Sequence, residues 1–257
     1  MRAKKSLGQN FIHDENFLKN LDKSIKSGPK TNIIEIGPGK GALTKYLIKK
    51  KHKKIFLIEK DKILADCLRE DNKNNSKIII ENVDALTFNL LNLNLKSDTI
   101  IVGNLPFNIS SQLLIKWMKL NDWPPFYQNM YLMFQKELGD RIIANENSKV
   151  YGRISVLAQS RFKIEKLFIA PSGIFFPKPK VNGIVLKFTP IEKYKNIDLD
   201  KLEIVLRKAF QQRRKKIKTS LKEYSDILLL NKFDLNSRAE NIKVSDYCKI
   251  SNLISKK

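Results

Sequence analysis

Short apolar runs alternate with segments of helical periodicity through residues 30–145. The apolar runs predict five strands, at 32–36, 54–58, 77–81, 99–102 and 129–134. Between them, apolar residues at helical spacing predict helices at 42–48, 62–69, 111–120 and 135–144. This alternation predicts an α/β domain with a mainly parallel sheet. Two later strands, at 162–168 and 183–188, predict an antiparallel addition to it.

The pattern changes after Pro190, where no further segment has the apolar run of a strand. Apolar residues recur at helical spacing from Leu199 to Phe210, which predicts a helical region. We therefore predict two domains. An α/β domain occupies 1–190 and begins with a basic arm at 1–11, and a small helical domain occupies 191–257.

Positive charge exceeds negative charge by a wide margin. The 257 residues include 49 Lys and Arg but only 26 Asp and Glu, which gives a formal net charge of +23. Such a charge favours a polyanion partner, either nucleic acid or an anionic membrane surface. Part of the excess can instead reflect a lysine-rich composition, since Lys far outnumbers Arg and both Asn and Ile are abundant.

The cations also cluster, which favours nucleic acid. Residues 207–222 contain eight cations and no acidic residue, whereas a solvated helix face usually mixes the two signs. We predict that this segment contacts phosphates, each of which adds a salt-dependent contribution to binding. With cations of the arm and of the Pro-rich segment 175–181, the predicted RNA-binding residues are Lys4, Lys5, Lys178, Lys180, Arg207, Arg213, Arg214, Lys215 and Lys216.

Cysteine and histidine are too few for several kinds of site. Cys67 and Cys248 lie far apart, so we predict no disulfide framework and no metal site, in keeping with a reducing compartment. With only His13 and His52, a His-based catalytic triad is not expected either. No apolar stretch suits a secretion signal or a membrane span. We expect a cytoplasmic protein.

The segment 102–110, Val-Gly-Asn-Leu-Pro-Phe-Asn-Ile-Ser, joins a predicted strand to a predicted helix. In an open α/β sheet such loops face the ligand crevice, which places Asn104 and Phe107 at a candidate site. An amide oxygen accepts a hydrogen bond from an amine, proline leaves a rigid carbonyl beside it, and an aromatic ring stacks on a heterocycle. The loop therefore suits an unstacked base. Considered alone, it fits equally well a turn whose Phe packs inward.

A glycine-rich turn, Gly37-Pro38-Gly39-Lys40-Gly41, separates the first predicted strand from a helix. The glycines permit close approach of a ligand, and the helix N terminus presents free N–H groups. Glu59 ends the second strand, where a carboxylate is placed to accept both hydroxyls of a ribose. Asp84 follows the third strand and is a candidate acceptor for an adenine amino group, although an Asp turn fits it nearly as well.

Together these motifs resemble those of the rRNA adenine N6-dimethyltransferases, in particular the bacterial small-subunit branch. The matching segments are 5–11, 35–39, 58–59, 84–88, 103–110, 135–137, 151–156, 177–181, 209–215 and 238–242. The combination is far more specific than any single motif. The resemblance implies an α/β fold, namely a class I S-adenosylmethionine-dependent methyltransferase (Rossmann-like) domain, followed by a small all-α C-terminal domain.

The resemblance also implies a reaction and a partner. Methyl groups would pass from S-adenosylmethionine to N6 of two adjacent adenosines in a hairpin loop near the 3′ end of small-subunit (16S) rRNA. Each adenosine would be methylated twice during ribosome biogenesis. The partner would be this rRNA within the small ribosomal subunit or its assembly intermediate. We expect a monomer that needs no metal.

Residue roles follow from the matched motifs. The cofactor-binding residues would be Asn10, Ile12, Gly37, Gly39, Glu59, Asp84 and Asn104. The catalytic group would be Asn104, Leu105, Pro106, Phe107 and Phe175. In this scheme the Asn104 oxygen and the carbonyl before Pro106 accept the two N–H bonds of the target amine, and the two rings hold the base.

The chain departs from the family pattern at two places. Phe107 stands where the family usually has Tyr, which keeps the stacking face but loses the hydroxyl, so we expect activity to persist. Asn182-Gly183 stands where an Asp-Ser pair is frequent, which changes any local polar contact there.

Three other functions explain part of the sequence. The related enzymes that methylate a large-subunit rRNA adenine and confer macrolide resistance would use the same chemistry. The sequence Asn-Leu-Pro at 104–106 and the matching segments 209–215 and 238–242 favour the small-subunit enzymes instead. A nicotinamide dehydrogenase explains the glycine loop and Glu59 but not 104–107 or the basic tail. An RNA-binding assembly factor without activity would have lost the cofactor, and the intact set of Gly37, Glu59, Asp84 and Asn104 argues against that loss.

Overall fold

The computed structural model describes Lys4, residues 7–95 and residues 98–254. Its strands are β1 (Phe11–Ile12), β2 (Asn32–Ile36), β3 (Lys54–Ile58), β4 (Ile78–Glu81), β5 (Thr99–Asn104), β6 (Asn129–Gln135), β7 (Phe162–Ala170), β8 (Phe175–Phe176) and β9 (Gly183–Pro190). Its α-helices are α1 (Glu15–Ser24), α2 (Thr44–Leu47), α3 (Lys62–Asp71), α4 (Ser110–Met118), α5 (Lys136–Ile142), α6 (Arg153–Arg161), α7 (Leu199–Gln211), α8 (Ile217–Ser220), α9 (Ser225–Leu230) and α10 (Val244–Ile254). Short 3-10 helices lie at Leu90–Leu93, Ser172–Ile174, Lys222–Tyr224 and Ala239–Asn241.

Seven strands form one mixed sheet in the order β4-β3-β2-β5-β6-β9-β7. The five strands from β2 to β6 run parallel, as the alternation predicted. β9 joins β6 antiparallel, as predicted from the late strand pair. All five residues of β2 are buried, including Asn32 and Glu35, because a central parallel strand is covered on both faces. The strand order reverses between β2 and β5. At such a switch point the loops at the carboxyl ends diverge and leave a ligand crevice.

Two glycines shape the loops at this crevice. Gly39 has a φ angle of +59°, a backbone conformation that residues with a side chain rarely adopt. The glycine-rich turn that contains Gly39 continues through residue 43, although the sequence predicted a helix from residue 42. The helix α2 is therefore only four residues long. Gly103 lies in β5 opposite Ile36, where a Cβ would be 3.1 Å from the Ile36 carbonyl oxygen. The close pairing of β2 with β5 therefore needs glycine here.

A second, two-stranded sheet pairs β1 with β8. The strands are antiparallel, with Phe11 opposite Phe176 and Ile12 opposite Phe175. The sequence predicted only a basic arm and an extended Pro-rich segment at these places. Each of these strands has only two residues, so no periodic pattern in the sequence could predict the pairing.

The chain packs as two compact units. The first includes Met1–Trp117, Pro125–Gly139 and Glu165–Thr189, and it contains almost the whole sheet. The second includes Met118–Pro124, Asp140–Ile164 and Pro190–Lys257, where α6, α7 and α10 pack together. The boundary predicted at residue 190 coincides with one of these transitions. The second unit also takes in 118–124 and 140–164, which the sequence assigned to the α/β domain, so two independent domains stay a prediction.

Aromatic residues form the centre of the second unit. The ring of Phe210 contacts those of Tyr151 and Tyr247, with centroids 6.2 and 5.9 Å apart. Both tyrosine hydroxyls are buried and donate to backbone carbonyls, those of Ile242 and Ala239 respectively. Among the described residues past 190, the only β interaction is an isolated bridge between Lys216 and Arg238, in keeping with the predicted all-α tail.

Candidate active site

A cavity opens at the carboxyl ends of the parallel strands, at the switch point between β2 and β5. It encloses about 1170 Å³ of space outside the protein atoms, including open solvent at its mouth. The lining residues are 7–12, 18, 35–40, 42, 43, 58–60, 83–86 and 104–109. The loops after β2, β3, β4 and β5 and the N-terminal segment therefore meet around one space.

The glycine turn and the ring of Phe11 lie together at one side of the cavity. The ring of Phe11 lies so close to Gly39 that a Cβ there would be 2.9 Å from two ring carbons. The Gly39 N–H donates a hydrogen bond of 3.0 Å to Glu59 Oε2. Glycine at position 39 therefore leaves room for the ring of Phe11, and the use of Gly37 and Gly39 by the cofactor stays a prediction.

Glu59 is buried at the end of β3, and two backbone groups hold its carboxylate. Oε2 accepts from Gly39, and Oε1 accepts from the Asp61 N–H at 2.8 Å. Burial raises the pKa of Glu59, and the backbone hydrogen bonds oppose the rise. Each oxygen keeps a second lone pair. The group can thus accept from two adjacent hydroxyls, as on a ribose.

Asp84 lies in the loop after β4. The Lys60 ammonium is 2.8 Å from its Oδ2, and the Leu86 N–H donates to its Oδ1 at 2.9 Å. The hydrogen bond from Lys60 lowers the pKa of Asp84, against the effect of partial burial. Asp84 is therefore an ionised acceptor at neutral pH, suited to an exocyclic amine.

The loop after β5 presents the amide of Asn104. Its Nδ2 donates a 2.8 Å hydrogen bond to the backbone carbonyl of Asn10. Because a carbonyl only accepts, this bond defines which end of the amide is nitrogen and leaves Oδ1 as the acceptor. The next two residues, Leu105 and Pro106, line the cavity with it. Proline has no N–H, so the Leu105 carbonyl lies beside a rigid ring and a second acceptor is available in this loop.

A family model of ribosomal RNA adenine dimethylases matches residues 1–256. The chain belongs to this family. Curated relatives named Ribosomal RNA small subunit methyltransferase A include that of Rhizobium johnstonii, 37% identical over 97% of this chain and 92% of the relative. That of Bradyrhizobium diazoefficiens is 38% identical over 96% and 89%.

Solved structures agree on the fold of this dimethylase. A dimethyladenosine transferase from Plasmodium falciparum superposes with a TM-score of 0.82 at 22% identity, over 96% of this chain and 98% of that one. The 23S rRNA methyltransferase ErmE superposes at 0.71 and 19% identity, over 96% and 100%. The predictions of family, class I methyltransferase fold, S-adenosylmethionine as cofactor and enzyme class are confirmed.

All seven residues of the dimethylase predicted to bind cofactor line the one cavity, and so do four of the five predicted catalytic residues. The fifth, Phe175, was predicted to stack on the target base, and the structure contradicts this prediction. Phe175 is only 2% exposed and belongs to the hydrophobic core. It contacts Phe107 edge-on with centroids 6.4 Å apart. In this structure Phe175 supports the ring of Phe107, and of these two residues Phe107 is the one that lines the cavity.

The N-terminal segment of the dimethylase is tied across the cavity at several points. Asp61 accepts from the Lys4 ammonium at 2.9 Å and from the Gln9 amide at 3.2 Å. The backbone carbonyl of Asn10 accepts a hydrogen bond from the Asn104 amide, and Ile12 is buried in β1. Lys4, which was predicted to contact RNA, thus forms an intramolecular ion pair with Asp61. Lys5, predicted with it, lies outside the described residues.

Lys116 is a site residue that the sequence analysis missed. From α4 its ammonium donates to the carbonyls of Ala85, Leu86 and Phe88, at 3.1, 2.8 and 2.7 Å. Burial lowers the pKa of Lys116, and the charge of Asp84 opposes this. Lys116 thereby holds the loop that carries Asp84 against the helix that follows Asn104. The only feature of the sequence that could have indicated this role is that Lys116 is a cation within an apolar helical pattern.

The predicted tail cations differ in their surroundings. Arg213 donates to Glu240 Oε2 at 2.7 Å and to the carbonyls of Ser148 and Lys149, so it serves the fold of the second unit. Arg207, Arg214, Lys215 and Lys216 are exposed, as are Lys178 and Lys180 in the first unit. Their contact with RNA stays a prediction.

Glu35 is buried near the carboxyl end of β2, lines the cavity, and accepts a 2.7 Å hydrogen bond from the Thr44 hydroxyl. Burial raises its pKa to about 7, the hydrogen bond from Thr44 opposes this, and the nearby charge of Glu59 adds to it. Folded Glu35 therefore holds a proton more tightly than the same residue in the unfolded chain.

We expect Glu35→Gln to stabilise the ligand-free protein at pH 8 relative to wild type, but not at pH 4.5. The contribution of Glu35 is fully present below its unfolded pKa and is lost as pH rises through about 7. Glutamine stays neutral and avoids this loss, which amounts to about 3 kcal/mol. Urea unfolding between pH 4.5 and 8 measures the free energy of unfolding of both proteins. If the free energies of unfolding of variant and wild type differ by the same amount at every pH, the pKa of Glu35 is not raised.

Among the described residues, no group of three or more His, Cys, Asp or Glu side chains is arranged to hold a metal ion. Within the same part of the chain, no helix has the length and hydropathy that crossing a membrane requires.

Proposed function

We propose that this chain transfers methyl groups from S-adenosylmethionine to N6 of two adjacent adenosines in a hairpin loop near the 3′ end of small-subunit rRNA, and produces N6,N6-dimethyladenosines. The main support is the Asn104 amide, whose oxygen is oriented by Asn10 within the same cavity that presents Gly37, Glu59 and Asp84. The relatives named for the small subunit support the choice of substrate.

The residues present fit the cofactor by the chemistry of their donors and acceptors. The backbone of Gly37 and Gly39 would lie against the methionine part, Glu59 would accept from the ribose hydroxyls, and Asp84 would accept from the adenine amine. Asn10 and Ile12 would close the cavity. When bound, S-adenosylmethionine supplies an electrophilic methyl group on a sulfonium.

The protein's part in the reaction is to orient a weak nucleophile. The lone pair of adenine N6 is delocalised into the ring. Asn104 Oδ1 and the Leu105 carbonyl would accept its two N–H bonds, which favours a more tetrahedral nitrogen with its lone pair available. Phe107 would hold the base by stacking, with Phe175 behind it. Fixed polar groups and fixed geometry then lower the barrier without a titrating base.

We also propose that the chain acts as a monomer in the cytoplasm, on the small ribosomal subunit or on an intermediate of its assembly. The exposed cations of the tail and of the Pro-rich segment would contact rRNA phosphates. The target adenosine must be unstacked to enter the cavity, as base chemistry usually requires.

Labelled methyl incorporation tests this function directly. Purified protein and labelled S-adenosylmethionine are incubated separately with unmethylated small subunits and with large subunits. We expect label only in the small subunit, in two adjacent dimethyladenosines mapped by mass spectrometry of rRNA fragments. Label in a large-subunit adenine would favour the resistance-type enzyme. No transfer to either subunit, together with no binding of S-adenosylmethionine, would favour an assembly factor without activity.

Arg214→Ala combined with Lys215→Ala is expected to weaken binding to the small subunit and to flatten its salt dependence. Each phosphate that the variant no longer neutralises should reduce the slope of log K against log salt by about one. Filter binding at several salt concentrations measures the slope. The matched control replaces Lys195 and Lys243, two exposed cations of the same unit outside 207–222, and should keep the wild-type slope. Equal slopes in the two double variants would remove Arg214 and Lys215 from the RNA interface.

A further inference from the structure

The ladder of β1 and β8 has one buried face and one exposed face. Successive side chains of a strand point to opposite faces, and residues directly opposite each other share a face. Ile12 and Phe175 are paired, and both belong to the hydrophobic core. The other pair, Phe11 and Phe176, therefore forms the outward face.

This outward face begins at the cavity. Phe11 lines the cavity beside Gly39, and the Lys40 ammonium lies 5.1 Å from the centroid of its ring. Its partner Phe176 is 62% exposed. Phe176 also follows directly on Phe175, whose ring contacts that of Phe107 at the space proposed for the target base. A large exposed aromatic ring is thus next to this space in the chain, and neither the cofactor contacts nor the amine contacts use it.

Two exposed cations follow Phe176 in the chain. After Phe176, exposure alternates: Lys178 and Lys180 are exposed, whereas Pro177 and Pro179 are partly buried. The segment therefore offers an aromatic ring and two cations to solvent within five residues. An exposed aromatic ring together with cations is the usual combination for binding single-stranded nucleic acid.

We propose that Phe176 stacks on the base next to the adenosine in the cavity, with Lys178 and Lys180 along the phosphates of the same strand. The proposal rests on the proposed function, in which the substrates are two adjacent adenosines. While one adenosine lies beside Phe107, its neighbour is at the rim, where Phe176 offers a ring. The two consecutive phenylalanines then have separate tasks: Phe175 supports Phe107, and Phe176 contacts RNA.

Three substitutions of Phe176 test the proposal in the full-length protein. Phe176→Tyr keeps a ring, Phe176→Ile keeps apolar surface without a ring, and Phe176→Ala removes both. With small subunits that lack dimethyladenosine, we expect Tyr to keep the wild-type KM for subunits. Ile and Ala should each raise it about tenfold, the effect expected for one stacked base, with kcat and the KM for S-adenosylmethionine unchanged.

Binding to a free RNA hairpin that contains the two adenosines should show the same order of variants. A defect seen with the subunit but absent with the hairpin would assign Phe176 to a protein contact and overturn the proposal. An Ile variant equal to Tyr, or an Ala variant with unchanged KM, would overturn it as well.

Two controls separate other causes. Leu91→Ala removes a large side chain of the same unit that is 46% exposed, and should leave all constants unchanged. Calorimetric affinity for S-adenosylhomocysteine shows whether the cavity of each variant is intact. If wild type methylates neither subunit, the proposed function fails. If wild type methylates the small subunit and the variants equal it, only the role of Phe176 fails.

Discussion

Asn104→Ala is expected to lower the rate of methyl transfer by on the order of 100- to 1,000-fold, with subunit binding largely kept. The substitution removes the oriented amide oxygen that accepts an N–H of the target amine. Removal of one preorganised polar partner of a developing charge has costs of this size in other enzymes. Single-turnover transfer to unmethylated small subunits measures the effect on chemistry alone.

Asn104→Asp sharpens this test. A carboxylate keeps an acceptor but loses the N–H donor that pairs with the Asn10 carbonyl at 2.8 Å. Two oxygens then face each other, and the side chain loses its fixed orientation. We expect the Asp variant to be nearly as slow as Ala, which would show that orientation matters in addition to the acceptor. Single-turnover rates of both variants within about tenfold of wild type would remove this amide from the reaction.

Glu59→Gln is expected to weaken binding of S-adenosylmethionine by about 100-fold, with a smaller effect on kcat at saturation. Both carboxylate oxygens accept backbone N–H groups, from Gly39 and from Asp61. An amide has only one acceptor oxygen, so one of these N–H groups would face an NH2 group. The charge-assisted bonds available to a ribose would disappear at the same time. Isothermal titration with S-adenosylmethionine measures the dissociation constant.

Glu81→Gln is the matched control for Glu59. Glu81 ends the neighbouring strand β4, and its side chain does not line the cavity. We expect its affinity to equal that of wild type. An affinity of Glu59→Gln within about threefold of the control would exclude Glu59 as the ribose partner, since removal of a charged acceptor costs more than that.

The elements that sequence predicted best are those with uniform surroundings. β2 and β3 have the predicted bounds, 32–36 and 54–58, because a strand covered on both faces is mostly apolar. The β1–β8 ladder was missed for the opposite reason. Its two residues on each side are too few for any period, and the two strands come from distant parts of the chain that meet only in the folded protein.

The candidate site divides in a similar way. Gly37, Gly39, Glu59, Asp84 and Asn104 were recognisable because the chemistry limits which side chains serve there, and the loops after parallel strands meet at one edge. Phe175 and Phe176 are identical in type and adjacent, so nothing local distinguished the buried ring from the exposed one. Arg213 likewise looked like its neighbours until its partner Glu240, 27 residues away, was in place.

The sequence by itself determined the order of strands and helices, the chemical groups of the site, and the family. These depend on residue type and short-range pattern. Only the tertiary structure decided how those groups are oriented: the Asn104 amide by a carbonyl 94 residues earlier, and the Asp84 loop by the ammonium of Lys116. A hydrogen bond depends on distances of a few tenths of an ångström between atoms that the chain brings together only on folding. Orientation of that kind leaves no periodic trace in the sequence.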